Sequence, residues 1–168
     1  RWEPQRPNEP DGLPVEHRVL DDVHGQLRVL LGRPQPRGKG CDVPERFPRC
    51  RFVSVESGIG WVPFFLEALD HQARETAPNE LRHLKLKPSE YFRRQVYACF
   101  WFETLAPQRL IEDIGVGNVM FETDFPHPTC LYPENREHVA KVLGQLDANT
   151  RRRVLQDNAA ELYRIPVT

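Results

Sequence analysis

From Pro48 onward the chain alternates short runs rich in β-branched and aromatic residues with stretches carrying apolar residues at helical spacing, in the order β, α, β, α, β, α. This alternation constrains the fold more than any other feature, because strands separated by helices of such length pair in parallel through crossover connections. The first strand is expected from Arg51 to Glu56, followed by a turn at Gly58 and Gly60 and a helix from Trp61 to about Arg74 with Phe65, Leu66 and Leu69 on its inner stripe. A helix from Lys87 to Gln95 follows, with Pro88 at its start and Glu90 in its first turn. Val96 to Phe102 is almost wholly apolar, as a strand covered on both faces of a parallel sheet must be. Pro107 to Ile114 reads as a short helix closed by Gly115, and Asn118 to Asp124 as the third strand. Two further helices, Glu134 to Gln145 and Asn149 to Tyr163, are separated by the capping residue Asp147. The aromatics Trp61, Phe64, Phe65, Trp101 and Phe102 are expected in the core.

The first 44 residues are different. Eight of the 16 prolines fall within residues 1–50, without a sustained apolar period, so residues 1–44 read as irregular or divergent and residues 45–168 as the folded α/β unit. Short strand or helix signals occur only at Gly12 to Val15 and Val23 to Leu31. A formal net charge of -1 provides no field that would draw the chain to nucleic acid or to an anionic membrane. No apolar run approaches the ~20 residues of a membrane span, and the first ten residues lack the apolar core of a signal peptide, so a cytoplasmic location is expected. Cys41, Cys50, Cys99 and Cys130 are widely spaced and read as free thiols.

In parallel α/β folds the loops leaving the C-terminal ends of strands carry the chemistry, which directs attention to Glu56, Ser57 and Gly58 and to the stretch from Asp124 to His127. Phe121 to Thr129 is an apolar strand that ends on a carboxylate and turns sharply through Pro126 and Pro128. A carboxylate so placed binds a divalent cation or accepts a proton from a water beside it; the plainer role for Asp124 is to cap the turn through its own side chain. His127 either points into the mouth of the sheet to contact substrate or stacks outward beside the prolines. Glu103 ends its strand, where it either reaches the site or makes a structural ion pair, the commoner role. Arg93 and Arg94 follow Tyr91 and Phe92 on a helix and read as a solvated face with the aromatics turned inward.

Four segments, taken together and in order, resemble the amidohydrolase-related family, the branch that includes aminocarboxymuconate-semialdehyde decarboxylase. They run from Glu45 to Pro63, from Leu86 to Gln95, from Asn118 to Pro128 and from Asp157 to Tyr163. The resemblance implies a (β/α)8 barrel, the TIM barrel, with one divalent metal, usually zinc, at its C-terminal mouth. It also implies a ligand set made of a His-x-His pair on the first strand, a histidine on a middle strand and an aspartate on the last. Asp124 matches that last-strand aspartate. None of the six histidines is two residues from another, so the His-x-His pair is missing and the chain is expected to be the C-terminal part of an incomplete barrel. His17, at the end of a Gly-Leu-Pro-Val-Glu-His stretch beginning at Gly12, is the candidate for the middle-strand histidine, with surface placement as its alternative. The decarboxylase branch carries an acid/base histidine before the glycines of the strand end, where this chain has Ser57 preceded by Glu56. A serine does not transfer a proton near neutral pH and a carboxylate with a raised pKa does, which makes Glu56 the substitute; its alternative is a carboxylate satisfied by backbone amides or an arginine. Gly58 allows the backbone to turn and approach a ligand.

The function implied is that of a metal-dependent hydrolase or decarboxylase acting on a small carboxylated or cyclic molecule. Asp124 and Glu56 carry the chemistry, Asp124 and His17 hold the metal, and His127, Ser57 and Gly58 face the substrate. The chain alone is expected to be inactive. A second expectation is a non-catalytic remnant, whose open sheet edges would favour association with another copy of itself.

Overall fold

The computed structural model describes residues 43–75 and 84–167. The stretches read at Gly12 to Val15 and Val23 to Leu31, together with His17, His24, Cys41 and His83, lie outside the described residues. A short helix α1 (Val43–Arg46) leads into β1 (Phe52–Ser54), α2 (Val62–Glu75), α3 (Pro88–Gln95) and β2 (Val96–Phe100). Then come α4 (Leu105–Arg109), α5 (Ile111–Ile114), a 3-10 turn (Val116–Asn118), β3 (Val119–Phe121) and α6 (Asn135–Leu143). The chain closes with α7 (Ala148–Arg152), a π turn (Arg153–Asp157) and α8 (Asn158–Tyr163). Helix α1 begins at Val43, inside the stretch expected to be irregular.

The three strands form one parallel sheet in the order β1-β2-β3, with Ala98 opposite both Ser54 and Val119. Residues alternate between faces along each strand. Val96, Ala98 and Phe100 of β2 and Val119 and Phe121 of β3 pack with Val62, Phe65, Leu66 and Leu69 of α2 and with Ile111, Ile114, Val142, Leu143 and Val154. Cys99 and Met120, on the alternate positions, are also buried, which accounts for the uninterrupted apolar text of β2.

The helix ends follow their local chemistry. Pro88 opens α3 and the Glu90 carboxylate reaches back to the Lys87 N–H at 2.7 Å. Asp147 caps α7 by accepting from the Asn149 and Thr150 N–H groups at 2.9 and 3.0 Å, and the Thr150 side chain first and then these amides lower its pKa. Gly115 ends α5 at φ +117°, where a Cβ would come within 2.8 Å of the Asn118 side chain.

The strands are shorter than the sequence suggests: β1 stops at Ser54, β2 at Phe100 and β3 at Phe121. At the outer strands, Val55 and Glu56 and then Thr123 and Asp124 leave the ladder for loops, and Glu56 and Asp124 take positive φ angles of 54° and 56° that no strand accommodates. The helix expected from Pro107 to Ile114 is two pieces broken at Leu110, and the one from Asn149 to Tyr163 contains the π turn. Of the aromatics expected inside, Phe65 is buried, but Phe64 and Phe102 are 76% and 57% exposed. Phe64 lies on the outer side of α2, next to the buried Phe65, and Phe102 lies beyond the end of β2 at the rim.

The lower, N-terminal end of the sheet is held by three buried carboxamides. The Gln95 amide donates to the Phe47 and Cys50 carbonyls, both at 2.9 Å. Asn118 donates to the carbonyls of Arg93 at 3.0 Å and Val96 at 2.8 Å, and Asn158 to those of Val116 and Val119. Tyr91 and Phe92 are buried as expected, while Arg93 is exposed and Arg94 is half-buried over the Tyr91 ring, its guanidinium bonded to the Pro44 carbonyl and the Gln95 side chain.

Candidate active site at the C-terminal rim of the sheet

The upper end of the same sheet is lined with carboxylates. Glu56 follows β1, Glu103 follows β2, and Glu122 and Asp124 follow β3. In a parallel sheet every strand delivers its C-terminal residue to the same edge, so the acidic residues gather there although 68 positions separate Glu56 from Asp124.

Asp124 sits at φ 56°, in the left-handed region that aspartate tolerates better than most residues. Its side chain is only 4% exposed. One carboxylate oxygen, Oδ2, accepts from the Thr129 hydroxyl at 2.9 Å and lies 3.2 Å from His127 Nδ1. The Asp124 carbonyl accepts from the His127 N–H at 2.8 Å, closing the turn. The residue therefore does bind its own loop, through one of its two side-chain oxygens. The His127 ring is 56% exposed. Its Nδ1 lies against Asp124 and, at 2.8 Å, against the Thr129 hydroxyl. Beside it, Phe125 and Tyr132 form an exposed pair with ring centroids 5.3 Å apart.

Glu122, two residues before Asp124, did not stand out in the sequence. Its Oε1 accepts from the Glu56 N–H at 2.8 Å, a bond that ties the end of β3 to the loop after β1 across the top of β2. Burial pushes the Glu122 carboxyl above its ordinary pKa, reinforced by the neighbouring Glu56 and Asp124 charges and opposed by that N–H. Its other neighbour is Cys99, whose thiol is pushed up to about 12 by burial and then by Glu122. A thiol so held is inert. The signal that could have found Glu122 is its alternation with Met120 on a strand whose ladder continues through the Glu122 N–H to the Phe100 carbonyl at 3.0 Å.

Glu56 is exposed; its backbone serves Glu122. The Ser57 hydroxyl is turned back, 2.7 Å from the Ser54 hydroxyl. Gly58 is buried at φ +68° and faces the Glu103 carboxylate, which accepts from the Ile59 N–H at 2.7 Å and the Gly60 N–H at 2.9 Å. Glu103 thus makes no ion pair among the described residues: its partners are backbone amides. The approach expected at Gly58 is made by a side chain of this chain.

Among the described residues no three His, Cys, Asp or Glu side chains converge in a way that could hold a cation. His17 lies outside the described residues.

An α/β unit with a parallel sheet and a carboxylate-lined C-terminal rim is the arrangement found in barrel enzymes. The sequence pattern of the amidohydrolase family matches residues 41–165, and the chain belongs to that family. Among solved structures, the chain is similar to 5-carboxyvanillate decarboxylase from Sphingomonas paucimobilis, with 24% identity and a TM-score of 0.63 over 88% of this chain and 41% of that one. An amidohydrolase from Mycobacterium avium subsp. paratuberculosis is similar at 23% identity and a TM-score of 0.66, over 86% of this chain and 34% of that one. A dihydroxybenzoic acid decarboxylase from Polaromonas sp. JS666, solved with bound manganese and the inhibitor 2-nitroresorcinol, is similar at 18% identity and a TM-score of 0.62, over 86% of this chain and 40% of that one. The fold is shared with all three, and the chain spans at most about two fifths of their lengths. No curated protein matches.

Proposed function

We propose that the chain is the C-terminal part of a (β/α)8 barrel whose whole is a metal-dependent hydrolase or decarboxylase of a small carboxylated or cyclic substrate. The observation that carries this reading is Asp124: a buried carboxylate, held in a left-handed conformation where the last described strand ends, in a member of the amidohydrolase family. A backbone kept in so sparsely populated a region is a mark of functional sites. Two of the similar structures are decarboxylases, and one of these holds manganese, which supports a divalent metal; zinc is the family's usual choice.

In this scheme Asp124 is the metal ligand or proton carrier of the last strand, and Thr129 and His127 fix its Oδ2. Glu56 stands exposed two strands away, at the end of β1, as the acid/base group, and the exposed ring of His127 places the substrate, with Ser57 and Gly58 forming the floor of the loop. A divalent cation at this rim would supply Lewis acidity toward a substrate oxygen or water. The remaining ligands come from other parts of the barrel, with His17 a candidate for one of them.

The sheet itself supports the incompleteness. Among the described residues β1 and β3 each pair on one side only, and beside β3 lies an apolar groove lined by Phe121, Val139, Ala140 and Leu155 with Arg136 and Arg151 at its margin. Open edges favour a second reading, a non-catalytic remnant that associates with a copy of itself. Titration calorimetry with zinc and light scattering separate the two readings. The chain alone is expected to bind zinc weakly and to lose that binding in Asp124→Asn. A stoichiometry near one with micromolar affinity in the isolated chain contradicts the partial site, and a stable self-associated species that ignores both zinc and Asp124→Asn favours the remnant.

A further inference from the structure

The loop from Val55 to Gly60 is held by more than its own chain requires. It contains two positive φ angles: at Gly58, which a glycine adopts freely, and at Glu56, where the conformation costs energy that the surroundings must offset. Two side chains from other strand ends, and one that directly follows it, meet this loop. Glu122, from the end of β3, accepts the Glu56 N–H; Glu103, from the end of β2, accepts the Ile59 and Gly60 N–H groups; and the Trp61 indole N–H donates to the Ser57 and Gly58 carbonyls at 3.1 and 3.0 Å. Gly58 completes the fit, because a Cβ there would come within 3.0 Å of the Glu103 carboxylate carbon and both of its oxygens.

We propose that Glu103 is a positioning residue of the rim: its carboxylate clamps the Ile59 and Gly60 amides and so presents Glu56 toward the edge where Asp124 stands. The proposal rests on the reading of that edge as the catalytic mouth, and it adds a residue that touches neither substrate nor metal. The chemistry calls for a carboxylate. Two oxygens of one group each meet an N–H, and a glutamine would set its NH2 against one of the two amides, donor against donor. Aspartate is one methylene too short to span from β2 to the loop. The side chain is only partly exposed, so the clamp works where water competes weakly.

The test uses the full chain with Glu103→Gln, which keeps shape and volume, and Gly58→Ala, which leaves the carboxylate in place but pushes against it. Amide exchange and backbone carbon shifts are read by NMR, with Mn2+ alone as the rim probe. In both variants the Ile59 and Gly60 amides are expected to exchange about tenfold faster, and Glu56 to leave the left-handed shift range, while amides at the lower end of the sheet hold their protection. Mn2+ is expected to broaden Asp124 and Glu56 in the wild-type chain, and in Glu103→Gln to broaden Asp124 but no longer Glu56. Unchanged exchange at Ile59 and Gly60, or exchange that accelerates everywhere with a falling unfolding midpoint, overturns the proposal and leaves Glu103 an ordinary part of the scaffold. Wild-type resonances of Asp124 indifferent to Mn2+ count instead against the rim as a metal site, a result that the exchange data do not share.

Discussion

The two ends of this small sheet are built from different polar groups, and the difference separates scaffold from site. At the lower end Gln95, Asn118 and Asn158 are buried, neutral, and donate to backbone carbonyls that begin or precede the strands. At the upper end Glu103 and Glu122 accept from the backbone amides of a single loop, and the neighbouring residues Glu56 and Asp124 sit at positive φ. A neutral amide is satisfied by two or three hydrogen bonds at little cost, whereas gathered carboxylates repel one another and resist burial. The lower end is arranged for stability; the upper end keeps strain and like charge together, as reactive sites do.

The sharpest way to break this contrast is at Asn118. Replacing it with alanine strands the Arg93 and Val96 carbonyls and is expected to cost about 2–3 kcal/mol, read by urea denaturation, with Mn2+ effects at the rim unaltered. A loss at the rim equal to that at the base would erase the distinction. Glu56→Gly should move stability the other way, by about 1 kcal/mol in favour of the fold, because glycine occupies φ 54° without strain. The same variant removes the proposed acid/base group, so a more stable protein with an emptied site is the expected pairing.

Smaller is the pH effect of Glu122. Its folded pKa lies above the ordinary value of 4.5, so the folded state retains the proton longer than the unfolded chain does. Its favourable contribution is complete below the ordinary value and is lost as pH rises through the raised one, with Glu56, Asp124 and Cys99 the groups that face it. Glu122→Gln, which keeps an oxygen for the Glu56 N–H, should flatten that part of the stability profile; a wild-type curve parallel to the variant's over this range would rule the effect out. The smallest expected change is Asp147→Ala, far from both ends: the lost cap lowers the melting midpoint by a few degrees, and because the Asp147 pKa is depressed, the gap between variant and wild type closes as pH falls below the carboxylate range.

Much of this was legible in the residues. The alternating text located all three strands and the helices between them, the Phe121 to Thr129 run pointed to Asp124, and Gly58 announced a turn. What sequence placed wrongly lies at element ends: Phe64 and Phe102 read as core by composition yet are exposed, because burial of an aromatic depends on which face the element turns to its neighbours. Glu103 and Glu122 were obscure for a related reason. An acidic residue after a strand has the same local appearance whether it meets water, an arginine or a distant amide, and only the parallel stacking of β1, β2 and β3 puts these two within reach of residues 56 to 60.

By itself, then, the sequence determined the class of fold and the family, since hydrophobic periodicity and ordered motifs are properties of the chain read in one dimension. The tertiary structure alone decided which carboxylates hold the loop and which do not. Those assignments depend on contacts between residues more than 40 positions apart, and local propensity carries no information about them.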